Sequence, residues 1–540
     1  MSLTLIGLAL PACSDESAPG GVAGNGGTAT ATGTGTAGGG ATGGSAAGGS
    51  TTGGNASGGT GGIEPDRSII AEDRRIDWQP GIPGGIADVA TVCPSSAPSV
   101  ESFGAVGDGQ TDDAAAFQAA IDAAAPGTAI RIPAGTYRIQ EGLTIDKGVV
   151  LCGEGPAQSR LEFDTSDNGI QVVKYDRGDW IDVTSGHTKG STVLTLQDAS
   201  AFSVGDHGQI KQTNNWDDMD PEGVWRVASW VPDDCVGQLF EVVAVSGNTV
   251  TIEPPLHLDF EDAYDPVVRR LGLIEGVGLQ GLYLHRSSTG DAATVSMRYA
   301  VRSWMRDCES DTTSTVHFGL SESLWCEIRD SYFHHSYDYG GGGHGYGASL
   351  ATHATANLVE NNVFEHLRHS MMVQVGATGN VFGYNYSVDR YTDGGQLCDI
   401  SLHGHWPNMN LFEANTVEEL DVSDYWGSCG PGNTFFRLRT TSEGIQIMDY
   451  SHGQNAVGNE LSTDPNFIEV DGTVNDTMLH GNYEDGSIAW DPNNADRDLP
   501  ASLYLWGKPA FLGSKPWPLS GGDLAPNGDT LPAQDRYDSM

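Results

Sequence analysis

The sequence predicts an all-β chain wound as a parallel β-helix, and three observations carry that expectation. An apolar residue followed by a short polar or Asn step recurs at Leu279, Met305, Ile328, Val359, Phe382, Phe412, Phe435 and Val457. The steps are 26, 23, 31, 23, 30, 23 and 22 residues, the spacing of a stacked strand–turn repeat. Ahead of this repeat, one amphipathic helical stretch is followed by short strand-like runs separated by Gly or Pro-Ala-Gly turns. Finally, Asn361, Asn362, Asn385 and Asn415 fall near the same point of the repeat, where they suit a turn ladder. A sandwich or a doubly wound sheet would not produce such a period.

The chain has 540 residues, with 27 Lys plus Arg against 71 Asp plus Glu and a formal net charge of −44. Phosphate binding needs Lys and Arg to displace counterions, so no nucleic-acid partner is expected. A polybasic membrane contact is equally disfavoured. Residues 1–13 form an apolar stretch ending in Leu10-Pro11-Ala12-Cys13. It is too short to span a bilayer and resembles a bacterial lipobox, so Cys13 is the expected lipidation site. Residues 14–62 are mostly Gly, Ala, Thr and Ser and cannot bury enough apolar surface to offset their ordering entropy. A coil of that length reaches about 40 Å. The expected arrangement is an exported lipoprotein at the outer membrane or cell surface, touching the membrane only through its lipid. An exported location permits disulfides. Seven cysteines remain besides Cys13, so at least one is not paired within the chain.

Residues 63–179 should form the cap and first coils. Thr111 reads as an N-cap, with Asp112 and Asp113 in the first turn of a helix over Thr111–Ala124. Phe117, Ala120, Ile121 and Ala124 form its apolar stripe. Strand-like runs follow at 129–132, 136–139, 143–145 and 149–152. The phrases Phe103-Gly-Ala-Val-Gly-Asp-Gly-Gln-Thr-Asp-Asp113, Ile132-Pro-Ala-Gly-Thr-Tyr137 and Leu151-Cys-Gly-Glu-Gly155 resemble the start of the pectate-lyase-like superfamily. More narrowly, they resemble its rhamnogalacturonase/epimerase-type branch. The resemblance implies a single-stranded right-handed parallel β-helix with an N-terminal capping α-helix. It leaves the chemistry open, because hydrolases, lyases, epimerases and phage tailspikes share that fold.

The repeat is lost over 180–272. There, 190–196 and 239–252 read as antiparallel strands of a β-rich insertion, the latter pair turning at Ser246-Gly-Asn. Trp216, Trp225 and Trp230 lie in it and suit either its core or sugar stacking. Residues 273–490 should hold the main coils. The apolar, Pro-rich segment within 491–540 should close the last coil, whose edge would otherwise offer unpaired strand groups.

The two long steps are where chemistry is expected. Coils stack at about 4.8 Å, so residues at equal offsets after their anchors lie in a column. Asp338, Arg368, His369, Asp389 and Asp393 fall 10, 9, 10, 7 and 11 residues after their anchors, which places them at one corner over three coils. His353 and His405 precede the next anchors by 6 and 7 residues and form a second column. Eight of the 15 histidines lie between His334 and His405. The expected catalytic residues are Asp338, Arg368, His369, Asp389, Asp393 and His405, with His335, His344, His403 and Tyr346 binding substrate. No metal site is expected, because the His spacings show no i,i+4 or Cys pattern. A polyuronate substrate would make Ca2+ a plausible cofactor.

The resulting expectation is a surface-anchored, polysaccharide-degrading enzyme. A lyase acting on uronate glycan needs a cation to neutralise the carboxylate and a tuned base, roles suited to Arg368 and His369. A glycoside hydrolase needs an acid and a carboxylate. Asp338 with Asp389 or Asp393, about 10 Å apart across two coils, lies near the inverting range. A non-catalytic glycan-binding surface protein is the third reading. The polygalacturonase motif set is absent, and so is the Asp-Pro-His signature of mannuronan epimerases.

Overall fold

A computed structural model describes residues 63–226, 231–422, 427–461, 467–524 and 526–540. Cys13, the 14–62 spacer and Trp230 lie outside the described residues. Most of the rest is a parallel β-helix of three sheets, the second running from Gly135–Ile139 through Tyr283–Arg286 and Tyr332–Ser336 to Tyr386–Val388, the third from Leu143–Ile145 through Val316–Ser321 and His369–Val373 to Ile400–Leu402, and both joining at Thr416–Val422. The first sheet has eleven strands, from Thr128–Ile132 to Met478–His480. Its inward column runs Ile130, Leu151, Leu279, Met305, Ile328, Val359, Phe382, Phe412, Phe435, Ala456 and Leu479, each paired in register with the next. The period therefore holds, except that Phe435 pairs with Ala456, and Val457 pairs with Phe436 instead. The Phe382 and Phe412 rings stack at 4.9 Å. All but Leu479, which is partly buried against it, lie in one continuous core, the condition under which each fully buried apolar side chain contributes about 1.5–3 kcal/mol.

From Gly281 onward a single left-handed residue turns each coil from the first sheet to the second, as at Asp330, Asn361, Tyr384 and Ala414. The next residue is the ladder position. Asn362 donates from its backbone N–H and its amide to Asn385 Oδ1, at 2.9 and 3.0 Å. Asn385 does the same to Asn415. A second ladder links Asn357, Asn380, Asn410 and Asn433. Asn361 is not a rung: it occupies the turn, and its amide donates to Asp330.

The capping helix spans Ala114–Ala123, with Asp113 in the N-cap position. Thr111 is therefore not the cap. It belongs to the short strand Asp108–Asp112 and bonds to the Asp108 carboxylate. Phe117 packs on Tyr137 of the first coil at 5.2 Å. Nearby, Cys93 and Cys152 form a disulfide, and Cys235, Cys308, Cys326, Cys398 and Cys429 are buried thiols.

The insertion is a closed six-stranded antiparallel barrel between Ile181 and Leu271. Its hairpin Gly237–Ser246/Thr249–Glu253 turns at Gly247-Asn248. Trp216 and Trp225 pack against the barrel core. The barrel is docked on the corner that follows the third sheet. There, Gln209 bonds to His353 Nδ1 at 2.7 Å, His353 Nε2 meets Asp234 O at 2.8 Å, and Leu239 N donates to Thr355 Oγ1.

The C-terminal segment reaches the last coil, where Gly522–Leu524 packs against Asn482–Glu484 and His480 Nε2 lies 2.8 Å from Asp496 O. Leu499, Leu503, Leu505, Leu512 and Leu519 run along the outer flank of the first sheet, against Leu358, Val381, Leu411 and Val457. Those strands carry apolar residues on both faces, so the outer one needs a cover. At the last coil, Asn482–Glu484 pairs with Ser487–Ala489 as an antiparallel hairpin.

Candidate functional site

The outer face of the third sheet has a wall on each side. The barrel stands at one corner, and the loops 337–345 and 389–398 stand at the other. Met372, Ser401, Asp421 and Gln446 occupy one row, a residue per coil. The strand Thr416–Val422 explains this placement, because Leu420 and Val422 enter the core and alternation turns Glu419 and Asp421 outward. Asp399 holds the bend of that strand, accepting from Ser387 Oγ at 2.5 Å and from the Glu418 and Glu419 N–H groups at 2.7 and 2.9 Å. Burial pushes its carboxyl up to about 7.

At the Asp421 end the face opens into a cleft of about 540 Å3, lined by Arg390, Gln396, Leu397, Glu419, Asp421, Glu443, Gln446, Met448 and Asp449. Asp421 is 4% exposed and accepts from Gln396 Nε2 at 2.5 Å. Burial raises its carboxyl to about 6, against the lowering effects of Gln396, Cys398 and Arg390. Arg390 pairs with Glu419 and, at 2.9 Å, with Glu443. The cleft therefore presents one carboxyl poised near neutrality, carboxylates paired to an arginine, and Asp449, whose carboxyl is raised by burial. Such a pairing of unlike carboxyl groups is the requirement for acid–base chemistry. The donor set is rich in oxygen but fits Ca2+ poorly, because Arg390 already occupies the cationic place between Glu419 and Glu443.

The loops meet at one corner as the offsets predict, but their side chains separate into two layers. Asp338, Asp389, Asp393 and His335 are exposed. Asp338 Oδ1 accepts from Gly340 N at 2.8 Å, Asp389 Oδ2 lies 2.8 Å from His366 Nδ1, and Asp393 accepts from Tyr391 OH. His344 Nδ1 is 3.0 Å from Ser314 O and holds the first loop.

Tyr346, Arg368, His369, His403 and His405 are buried. Arg368 reaches both loops, donating to Gly340 O and to Gln396 O, and its guanidinium lies over the Tyr346 ring. His369 Nδ1 is 3.1 Å from Cys398 O. Burial, then the Arg368 charge, holds His369 well below the ordinary imidazole range and His403 at about 3. His405 is lowered to about 4 by burial. These three rings are neutral at pH 7, and none of them lines the cleft. His353 and His405 share the barrel-facing corner, where His353 anchors the barrel. Asp421, Glu419, Glu443 and Asp449 were not predicted. The available signal was the alternation Glu419-Leu420-Asp421-Val422, with acids outside and apolar residues inside.

Comparison with known proteins agrees with the resemblance read from Phe103–Gly155. Residues 97–208 match the family described as "Rhamnogalacturonase A/epimerase, pectate lyase-like". The mannuronan C5-epimerase AlgE3 of Azotobacter vinelandii is 46% identical over 74 residues, 12% of this chain and 4% of that protein. Alginate lyase 7 of the same organism is 43% identical over 74 residues, 12% of this chain and 9% of that protein. These matches span only a small part of the curated relatives' lengths. The tailspike protein gp49 of Pseudomonas phage LKA1 shares the fold with a TM-score of 0.50 at 18% identity, covering 68% of this chain and 65% of that one. The chain is a parallel β-helix whose residues 97–208 are similar to the pectate-lyase-like family.

Proposed function

We propose that this pectate-lyase-like β-helix is a glycan-cleaving enzyme that binds polysaccharide across the third sheet and uses Asp421 as its proton donor. The observation that carries this reading is the Asp421 carboxyl, buried, lifted to about 6 and opening on a cleft whose other carboxylates are held by Arg390. A proton carrier works best with a pKa near the operating pH. Hydrolysis of a glycosidic bond is the favoured reaction. Asp421 protonates the leaving oxygen, and a cleft carboxylate, Glu443 or Asp449, activates water. Arg368, the residue suited to neutralising a uronate carboxylate, is buried and donates to two backbone carbonyls, which weighs against β-elimination through it.

The second reading is β-elimination on a uronate chain. It is supported by the similarity of 74-residue stretches of this chain to a mannuronan epimerase and an alginate lyase. One assay separates the readings: incubation with acidic and neutral polysaccharides while following reducing ends and unsaturated-uronate absorbance. Reducing ends without absorbance, lost in Asp421→Asn, are expected. Absorbance together with reducing ends establishes the lyase, and binding without either signal establishes a glycan-binding protein. The proposal includes tethering through a lipid on Cys13, which would hold the β-helix at the cell surface on the 14–62 spacer.

A further inference from the structure

We propose that Asp311, His334 and His335 form a transition-metal site of the zinc(II) class on the outer face of the second sheet, separate from the cleft. The register creates the first half of the site. Asp311 on Glu309–Thr313 pairs with His334 on Tyr332–Ser336 in the adjacent coil, so the two side chains leave the same face about 4.8 Å apart. Strand alternation would send His335 to the opposite face. Its backbone instead takes φ +61°, a left-handed conformation rarely adopted by residues other than Gly, Asn and Asp. His317 meets the His335 carbonyl from inside the coil, with Nε2 2.9 Å away. The outcome is that His334 Nδ1 and His335 Nδ1 lie 2.9 Å apart, and His334 Nδ1 lies 3.4 Å from Asp311 Oδ1.

All three potential ligand atoms lie within 4.8 Å of one another. Ligands about 2.0–2.2 Å from a tetrahedral zinc are separated by about 3.3–3.5 Å, so small movements of three partly exposed side chains would enclose the ion. The surrounding groups orient the donors. Glu309 Oε1 lies 3.4 Å from His334 Nε2; a carboxylate there fixes the proton on Nε2 and leaves the Nδ1 lone pair for a metal. Tyr283 OH donates to Asp311 Oδ2 at 2.6 Å, Thr312 Oγ1 donates to Oδ1 at 2.7 Å, and His285 Nδ1 lies 3.5 Å from Oδ2. Two imidazoles and one carboxylate select zinc, copper, nickel or iron over calcium and magnesium. His335 is exposed, leaving the fourth position open to water. Such an ion would staple two adjacent coils beside the 337–345 loop. The proposal reverses the expectation of no metal site, which rested on sequence spacing; the donors come together through register and one reversed residue.

The test is equilibrium dialysis of the untagged, chelator-stripped full chain against zinc chloride, with metal analysis and a parallel cobalt(II) absorption spectrum. One tightly held zinc equivalent is expected, with a cobalt spectrum showing mixed nitrogen and oxygen ligation, undisturbed by excess calcium. Asp311→Asn and His335→Gly should each lose that equivalent, the latter while relieving the left-handed backbone. Glu309→Gln should weaken binding by about 10–100-fold. His452→Ala, at a distant exposed histidine, should leave binding intact. Circular dichroism checks that each variant is folded. Absence of a stoichiometric zinc in the parent, or its retention in folded Asp311→Asn and His335→Gly, overturns the site and leaves a hydrogen-bonded histidine pair.

Discussion

Replacing Asp421 with Asn should abolish activity while changing how stability depends on pH. The carboxyl is 4% exposed and raised from 3.8 to about 6, with burial the largest cause. Below the ordinary carboxylate range, both folded and unfolded chains hold this proton and the group contributes nothing. Between pH 3.8 and 6 the folded protein retains a proton that the unfolded chain releases, so stability falls as pH rises. Above about pH 6 both states are ionised and the full cost is present, about 3 kcal/mol. Asparagine keeps the shape and cannot ionise. Urea unfolding of parent and variant at pH 4 and pH 8 is the assay. The parent should lose about 2.4 kcal/mol more than the variant on going from pH 4, where the unfolded carboxyl is already partly ionised, to pH 8. Other groups titrate in both proteins and cancel in the comparison. An identical pH dependence in the two proteins would refute the assignment of Asp421 as a buried, proton-holding carboxyl, whatever happened to activity.

Asn385→Ala removes the middle of a ladder, leaving the buried Asn362 N–H and Val359 carbonyl without their partner. A destabilisation of about 2–5 kcal/mol is expected in urea titration, and a near-neutral result would remove the ladder's energetic role. Arg368→Ala should lower glycan cleavage by about 100-fold through loss of loop positioning, with the folded content unchanged by circular dichroism; full activity would mean the loops need no such tie. Cys152→Ser opens a link across a sequence separation of 59 and should cost about 4 kcal/mol, read as a lower urea midpoint. Metabolic labelling with a fatty acid should disappear in Cys13→Ala, and retained label would rule out the lipid anchor there.

Several features were legible because they are local or periodic. The anchors from Leu279 to Phe435 could be read because each coil must return one apolar residue to the same core position. The Asn362–Asn385–Asn415 ladder follows from the same return, because a side-chain amide can satisfy a neighbouring coil only if that coil repeats it. Val457 was misplaced by one residue because Ala456 is a weak apolar signal beside it. Thr111 has the local propensity of a cap, but Asp108–Asp112 is recruited into a strand against 136–138, and the helix starts three residues past it, at Ala114.

The candidate site was less legible for a different reason. Offsets placed Asp338, Arg368, His369, Asp389 and Asp393 at one corner but could not say which would be covered. The barrel and the two long loops decide that, burying His369, His403 and His405 and leaving Asp338, Asp389 and Asp393 in water. Asp421 sits on an ordinary-looking strand, and only its burial lifts its carboxyl, against the lowering effects of Gln396, Cys398 and Arg390. The pairing of His335 with His334 likewise depends on one backbone reversal that strand periodicity would not predict. By itself the sequence determined the coil, its cap and its period, because repeated local contacts are written residue by residue. The tertiary structure alone decided which carboxyls and imidazoles are desolvated, because burial is set by elements far apart in the chain.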